Sequence, residues 1–391
     1  MNRLGRVKIA GMLVLAGLFI WSNWWLRRPQ PLNEPDTVKE ELDTEPEPVS
    51  VGARWLLAGE VFWGRQMERI ALAQDQPYEY LFAKLATLDR DEYDAWLAHM
   101  ECPITDADIP FGTQATALVF NCRPEFLEEF KEWFTAVSLA NNHMDNVKGE
   151  AGLKQTRSNL ESVNVQYYGH FDNAVTDDIC EVVGLPAQVA YNDSSVRPAT
   201  LPVALCGYHN VWRLPTKAEL GEIERYAGRF LTIVSPQQGA EYQPTADELK
   251  VQTYRTMIDH GADLVVASHP HWVQNSEVYR GKLIMYSVGN FMFDQEWSEE
   301  VKRGAALDVS LSLEYERSIE GWLSLNCDGF KDKCRQSAED LMLAKPEFDL
   351  NFDLVSVLHE AGQTRKAPAD IHKLNLIRTN WAKTLVQLKR D

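Results

Sequence analysis

Nine apolar runs of five to eight residues recur between residues 53 and 313, and few folds accommodate such a series. They read "ARWLLAG" (53–59), "AWLAHM" (95–100), "FTAVSLA" (134–140), "VQYYG" (165–169), "PVALCGY" (202–208), "FLTIVS" (230–235), "DLVVAS" (263–268), "LIMYSVG" (283–289) and "ALDVSLSL" (306–313). Several are apolar at consecutive positions, as expected of strands covered on both faces. Amphipathic segments separate them. "PYEYLFAKLATL" (77–88) and "PEFLEEFKEWF" (124–134) open on proline, which a first helical turn tolerates. "GEAGLKQTRSNLESV" (149–163) and "PTADELKVQTYRTMIDHG" (244–261) follow, the second closing on a glycine stop. The pattern predicts an α/β layered domain. Beyond residue 314 it changes to an irregular two-cysteine stretch and then helices, including 369–390.

Polar residues fall just after these runs. Glu60 follows the first, Glu101 the second, Asn141-Asn142-His143 the third, and His269-Pro270-His271 a later one. In open α/β sheets the carboxyl ends of strands gather at one edge, where sites form. In an extended chain, residues 269 and 271 point the same way, so both imidazoles reach one ion or an adjacent pair. Taken singly, each feature has a plainer reading. The histidine pair fits an ordinary loop, Asn142 a helix cap, and each glutamate a solvated surface acid. Their shared topological position favours a metal centre.

The amino terminus is of another kind. Arg3, Arg6 and Lys8 precede an apolar stretch from Ile9 to Leu26, roughly 27 Å long as a helix and enough to span a bilayer. Trp21, Trp24 and Trp25 sit near its outer end, where rings favour the headgroup layer. An uncleaved anchor is the favoured reading over a cleaved signal, with the amino terminus cytoplasmic. Residues 29–50 form a Pro-rich spacer with seven acids and one lysine, stiff and solvated. The expected location is therefore the cell membrane, single-pass, with the globular domain extracytoplasmic. Net charge is −18, and almost all of it remains on residues 51–391. No basic stripe offsets phosphate repulsion, so nucleic acid is excluded as a partner. A polyanionic ligand would need a local cation. The six cysteines fall as sequence neighbours, 102 with 122, 180 with 206 and 327 with 334, which suggests local disulfides; buried free thiols are the alternative.

Several stretches together resemble the CapA family of poly-γ-glutamate capsule-biosynthesis proteins, whose domain is similar to calcineurin-like metallophosphatases. They are "AGEVFWGR" (58–65), "MECPIT" (100–105), "VSLANNHMDN" (137–146), "GAEY" (239–242) and, most specifically, residues 261–295. The resemblance runs from about residue 53 to about 312. It implies a layered metallophosphatase-like sandwich in which helices cover two central β-sheets, preceded by one transmembrane helix. The domains would be 1–28 anchor, 29–50 linker, 51–313 CapA-like domain and 314–391 helical extension. It further implies a divalent metal (Mn, Zn or Mg) near Glu60, Glu101, Asn142, His269 and His271, with His143 as catalytic acid. Arg65, Gln237, Glu241 and Asn290 would face the substrate. Two positions depart from the family pattern: Glu60 replaces an aspartate, and Gln237 stands where a histidine is expected. An amide oxygen is a poorer ligand than imidazole for transition metals, which points to a harder ion. Two functions follow. One is the biosynthesis, export or anchoring of an anionic surface polymer, alongside other capsule-synthesis membrane proteins. The alternative is a metal-dependent phosphoesterase or related hydrolase.

Overall fold

Side-chain alternation along one long strand divides the protein into layers. The computed structural model describes residues 45–325, 327 and 331–390. The expected membrane span and residues 29–44 of the spacer lie outside them. Among the described residues no helix is long and apolar enough to cross a membrane.

The chain forms β1 (Pro48–Val61), β2 (Ala95–Met100), β3 (Ala136–Ser138), β4 (Gln166–Tyr168), β5 (Cys180–Tyr191), β6 (Val196–His209) and β7 (Leu231–Gln237). There follow β8 (Leu264–Val266), β9 (Ser276–Tyr279), β10 (Lys282–Met285), β11 (Asn290–Met292), β12 (Arg303–Glu314), β13 (Asp349–Glu360) and β14 (Gln363–Lys366). They join in a single mixed network of 14 strands. The network forks at β1. On one edge β1 pairs with β12 and, at its carboxyl end, with β11. On the other it pairs with β5 over Pro48–Gly52 and with β2 over Trp55–Val61. One leaf therefore runs β4-β3-β2-β1-β12-β13-β14 and the other β5-β6-β7-β8-β10-β9. The two expected sheets are thus one hydrogen-bonded network, because β1 is long enough to pair with both.

Period-two alternation sends β1 side chains to opposite faces. Trp55 and Leu57 join Leu97, Leu205, Ile233 and Val266 in a core that draws on both leaves. Leu56 and Ala58 join Trp96, Val137, Phe126, Phe130 and Leu153, the last from the helix Glu150–Ser162. On the second leaf Ala204, Cys206, Val234 and Val265 meet Ile223 and Met257 from the helices Lys217–Ala227 and Glu248–Asp259. A fully buried Leu or Ile adds about 1.5–3 kcal/mol, so these three cores hold the leaves in register.

All nine apolar runs contain strand. The helix expected over 77–88 is instead one turn, Pro77–Tyr80, followed by a 3-10 segment, Ala83–Leu88. That over 124–134 likewise splits into Pro124–Phe126 and Leu127–Phe130. The helical reading of 314–391 is corrected more substantially. This segment has helices at Arg317–Leu323, Lys331–Asp340, Ala369–Arg378 and Trp381–Leu388, but it also supplies β13 and β14, which extend the first leaf beyond β12. Residues 46–391 form one compact unit, with no boundary at 313. All three local disulfides are present, Cys102–Cys122, Cys180–Cys206 and Cys327–Cys334.

The parallel pairings decide where a site forms. β1, β2, β3 and β4 run parallel to one another, as do β6, β7, β8 and β10. Their carboxyl ends gather along one edge, which receives the polar residues that follow the strands.

Candidate metal centre

Glu60, near the carboxyl end of β1, is fully buried. It is seated there by a backbone contact that only glycine permits. A Cβ on Gly59 would lie 1.9 Å from the carbonyl oxygen of Gly289, itself at φ +69°. The approach puts Glu60 beside Asn290, its register partner on β11. Glu60 Oε1 accepts the His269 N–H at 2.6 Å and the Gln237 carboxamide at 3.4 Å. Its Oε2 lies 2.7 Å from His271 Nδ1.

His271 is held from behind. Asn290 donates its amide to Gln295 Oε1 and the Val301 carbonyl, both 3.1 Å away, so its Oδ1 faces His271 Nδ1 at 2.8 Å as an acceptor. Nδ1 therefore carries hydrogen. Tyr242 stacks on the ring with centroids 5.6 Å apart. Glu101 enters from the end of β2 and accepts from Asn141 Nδ2. Ligand atoms of Glu60, Glu101 and His271 all lie within 4.8 Å of one another.

Without an ion the group settles its charge by sharing protons. Burial alone would raise Glu60, but the His271 charge holds it below the usual carboxylate range. Burial alone would lower His271, yet the facing Glu60 carboxylate lifts it to about 10. Burial and the Glu60 charge push Glu101 up to about 8. At neutral pH the metal-free site thus holds a glutamate–imidazolium pair and a protonated Glu101. A divalent ion would have to displace protons from both His271 and Glu101, so its affinity would rise with pH, most steeply below about 8 and on up to about 10. Calorimetry of Mn²⁺ binding in buffers of different ionisation enthalpy is expected to show proton release near neutrality; uptake that releases none contradicts this ligand set.

Other expected residues fall as follows. His269 and His271 both adopt positive φ, +93° and +59°, so the chain turns here rather than running extended. The extended-chain geometry expected for the pair is therefore replaced by a turn: the ring centroids are 6.2 Å apart, and of the two rings His271 is the one that joins the carboxylates. His269 instead contributes its backbone N–H to Glu60, and its Nδ1 is buried without a hydrogen-bond partner. Asn142 Oδ1 and Gln237 Oε1 are likewise buried and unpartnered. Two amide oxygens and one ring nitrogen, all atom types that can ligate a divalent ion, are thus buried with no hydrogen-bond partner among the described residues. Both Gln237 and Asn290 are wholly buried, so neither presents a face to substrate; Asn290 acts on His271.

Beside the centre opens a cleft of about 350 Å³, lined among others by Arg65, Glu101, His143, Glu241, Tyr242 and His271. Exposed Phe111, Leu118 and Trp297 form its apolar rim. His143 stacks on Phe120 with centroids 4.0 Å apart, and its Nε2 lies 3.9 Å from Glu101 Oε1. Its Nδ1 is 3.0 Å from Asn146 Oδ1, which also accepts the Phe120 N–H at 2.8 Å. That oxygen is an acceptor, so Nδ1 carries the hydrogen and Nε2 is bare toward Glu101. Burial pushes His143 down to about 4, and it is neutral at rest. Arg65 lines the cleft but is ion-paired to Asp294 and packed 4.4 Å over the Phe120 ring. Sequence reasoning passes over Asp294 and Asn141, although both lie inside stretches that carry the family resemblance, 261–295 and 137–146.

Comparison with known proteins agrees on a family. The family model described as "Bacterial capsule synthesis protein PGA_cap" matches residues 54–295. "Capsule biosynthesis protein CapA" of Bacillus anthracis is 26% identical over 264 residues, 62% of this chain and 60% of that protein. "PGA biosynthesis protein CapA" of Bacillus subtilis (strain 168) is 32% identical over 177 residues, 42% of this chain and 44% of that protein. The matched region thus spans less than two thirds of either relative. Among solved structures, TT1561 of Thermus thermophilus aligns with a TM-score of 0.33 and 11% identity, over 66% of this chain and 94% of that one. That likeness is too remote to argue from.

Proposed function

The chain belongs to the bacterial capsule synthesis protein family, and on that premise we propose that it acts in making, exporting or anchoring an anionic surface polymer such as poly-γ-glutamate, by metal-dependent cleavage of a bond in an anionic substrate. The polymer is suggested by the names of the two relatives. The chemistry is suggested by the layered α/β scaffold with acids, amides and imidazoles at its strand ends, an arrangement of metallophosphatase type. Three disulfides favour an oxidising compartment, in keeping with a domain held outside the membrane by the amino-terminal span.

One observation carries the reading. Among the described residues, the cleft beside the Glu60–Glu101–His271 cluster is lined by Glu101, Glu241 and Asp294 against a single arginine, Arg65, which is ion-paired to Asp294. Among the described residues a polyanion meets no cation there that is not already paired, since the His271 imidazolium faces Glu60. Passive tethering is therefore poorly served, whereas a cleft completed by a divalent ion accepts the same substrate. Glu60, Glu101 and His271 would hold that ion, with Asn142, Gln237 and His269 offering unpartnered acceptors nearby. When bound, a divalent ion supplies Lewis-acid polarisation and lowers the pKa of water.

The protein's own groups do the rest. Asn290 and Tyr242 fix the orientation of His271, and Asn141 fixes that of Glu101. His143, neutral with Nε2 bare, takes up a proton at that atom and returns it to a leaving group, a contribution of about 10²–10⁴-fold. The apolar rim of Phe111, Leu118 and Trp297 limits water at the cleft mouth.

With Mn²⁺, the full-length chain is expected to hydrolyse at least one of p-nitrophenyl phosphate, bis-p-nitrophenyl phosphate and γ-glutamyl p-nitroanilide. Glu101→Gln should lower the rate by about 10²-fold or more, and His143→Ala by a similar factor. A wild-type rate no higher than that of Glu101→Gln on all three substrates contradicts the hydrolytic part of the reading.

A further inference from the structure

The acidity of the chain conceals a local exception. Residues 371–390 carry Lys373, Arg378, Lys383, Lys389 and Arg390 and no acidic side chain, on a chain of net charge −18. These cations lie on or directly after the helices Ala369–Arg378 and Trp381–Leu388, between which Asn380 turns the chain at φ +57°. Elsewhere cations are commonly ion-paired, as Arg54 is to Asp308 and Arg255 to Glu277. None of these five forms an ion pair with another described residue; Arg378 instead lies over the Trp272 ring, 5.6 Å from its centroid.

The same two helices leave apolar side chains in water. Leu374, Ile377 and Val386 are 46%, 64% and 50% exposed. Residues three and four apart share a helix face, so Leu374 and Lys373 both lie beside Ile377 on the outward side of the first helix. Lys383, Val386 and Arg390 follow one another in the same way along the second. The inward sides are pinned. Asn375 donates to the Gly304 carbonyl at 2.9 Å, the Thr379 carbonyl accepts from Ser276 at 2.7 Å, and Trp381 is buried in the core that draws on both leaves. The outward face is thus a basic and apolar surface on a fixed support.

We propose that this face docks on a bilayer containing anionic lipid. The lysines and arginines meet the headgroup phosphates, while Leu374, Ile377 and Val386 enter the boundary between headgroups and acyl chains. Lysine stems can lie along that boundary with their ammonium groups in water. A strand of anionic polymer would use the same cations but has no use for three exposed aliphatic side chains, and these decide for lipid. A domain tethered by the proposed amino-terminal span is held near the bilayer, so a weak patch suffices to orient it. Nothing in this depends on the metal centre.

The six native cysteines are all disulfide-bonded, so one added thiol in the full-length chain can be labelled alone. A polarity-sensitive dye is placed at Ala382→Cys, exposed between the key side chains, and in a second preparation at Val175→Cys, in the exposed segment between β4 and β5. Both are reconstituted in phosphatidylcholine vesicles with or without phosphatidylglycerol. With phosphatidylglycerol, the dye at 382 should shift to the blue and be quenched by brominated lipid; the dye at 175 should do neither. Replacing Lys373, Lys383 and Lys389 by glutamine should lower the docked-to-free ratio by about 5-fold for each lysine. Leu374→Asn with Val386→Asn should remove the quenching. Equal signals from the two dyes, or quenching at 382 that the lysine substitutions leave unchanged, overturn the proposal. So does a shift at 382 produced by soluble poly-γ-glutamate and not by phosphatidylglycerol, which would give the face to the polymer.

Discussion

Replacing His271 with alanine is expected to abolish tight metal binding and to destabilise the fold by about 3–5 kcal/mol, because Glu60 is left as an unpaired charge at 0% exposure. The pH dependence separates this from a simple cavity. In the wild type the depressed Glu60 contributes stability that is present above its unfolded pKa and lost as pH falls through the folded value. The raised His271 contributes stability fully present below about 6.5 and lost as pH rises through about 10. The pair therefore stabilises the protein between these limits. In His271→Ala the uncompensated Glu60 is raised by burial, so protonating it relieves the penalty and the gap to wild type narrows as pH falls toward 5. Urea unfolding of the chelated proteins at pH 5 and pH 8 measures this. An equal gap at both values contradicts the ion pair.

Gly59→Ala is the second large effect. The new methyl meets the Gly289 carbonyl at 1.9 Å, backbone against backbone, and no rotamer removes the clash. Overpacking of this kind costs about 3 kcal/mol. Because the contact seats Glu60 against Asn290, metal affinity should fall together with stability. Gly221→Ala is the control: its Cβ meets nothing within 4 Å in the helix Lys217–Ala227, and alanine is the better helix former. Urea midpoints read both. A Gly59→Ala midpoint equal to that of Gly221→Ala contradicts the close approach.

The strand-end logic is readable from the sequence because parallel strands impose it. Apolar runs name the strands, and the residues just past them include Glu60, Glu101 and His271, which the fold brings together. What escapes depends on contacts that spacing does not encode. β13 and β14 carry Asp349, Asp353, Arg365 and Lys366 among their apolar positions, and they are strands because β12 offers an edge to pair with. Asn290 resembles a substrate ligand until Gln295 and Val301 are seen to orient it toward His271. Arg65 reads as an anion-binding group until Asp294 claims it. The H-P-H motif marks the right turn of chain, but not its geometry, since positive φ at both histidines separates their roles.

A divalent ion held by Glu60, Glu101 and His271 is the centre on which the proposed chemistry depends. Crystals of the protein soaked in Mn²⁺, with anomalous data collected at the manganese absorption edge, locate that ion directly. The expected result is an anomalous peak within coordination distance of all three side chains, missing in His271→Ala crystals soaked alike. A soaked wild-type crystal with manganese only elsewhere on the surface, or with none, would contradict the metal centre and the chemistry built on it.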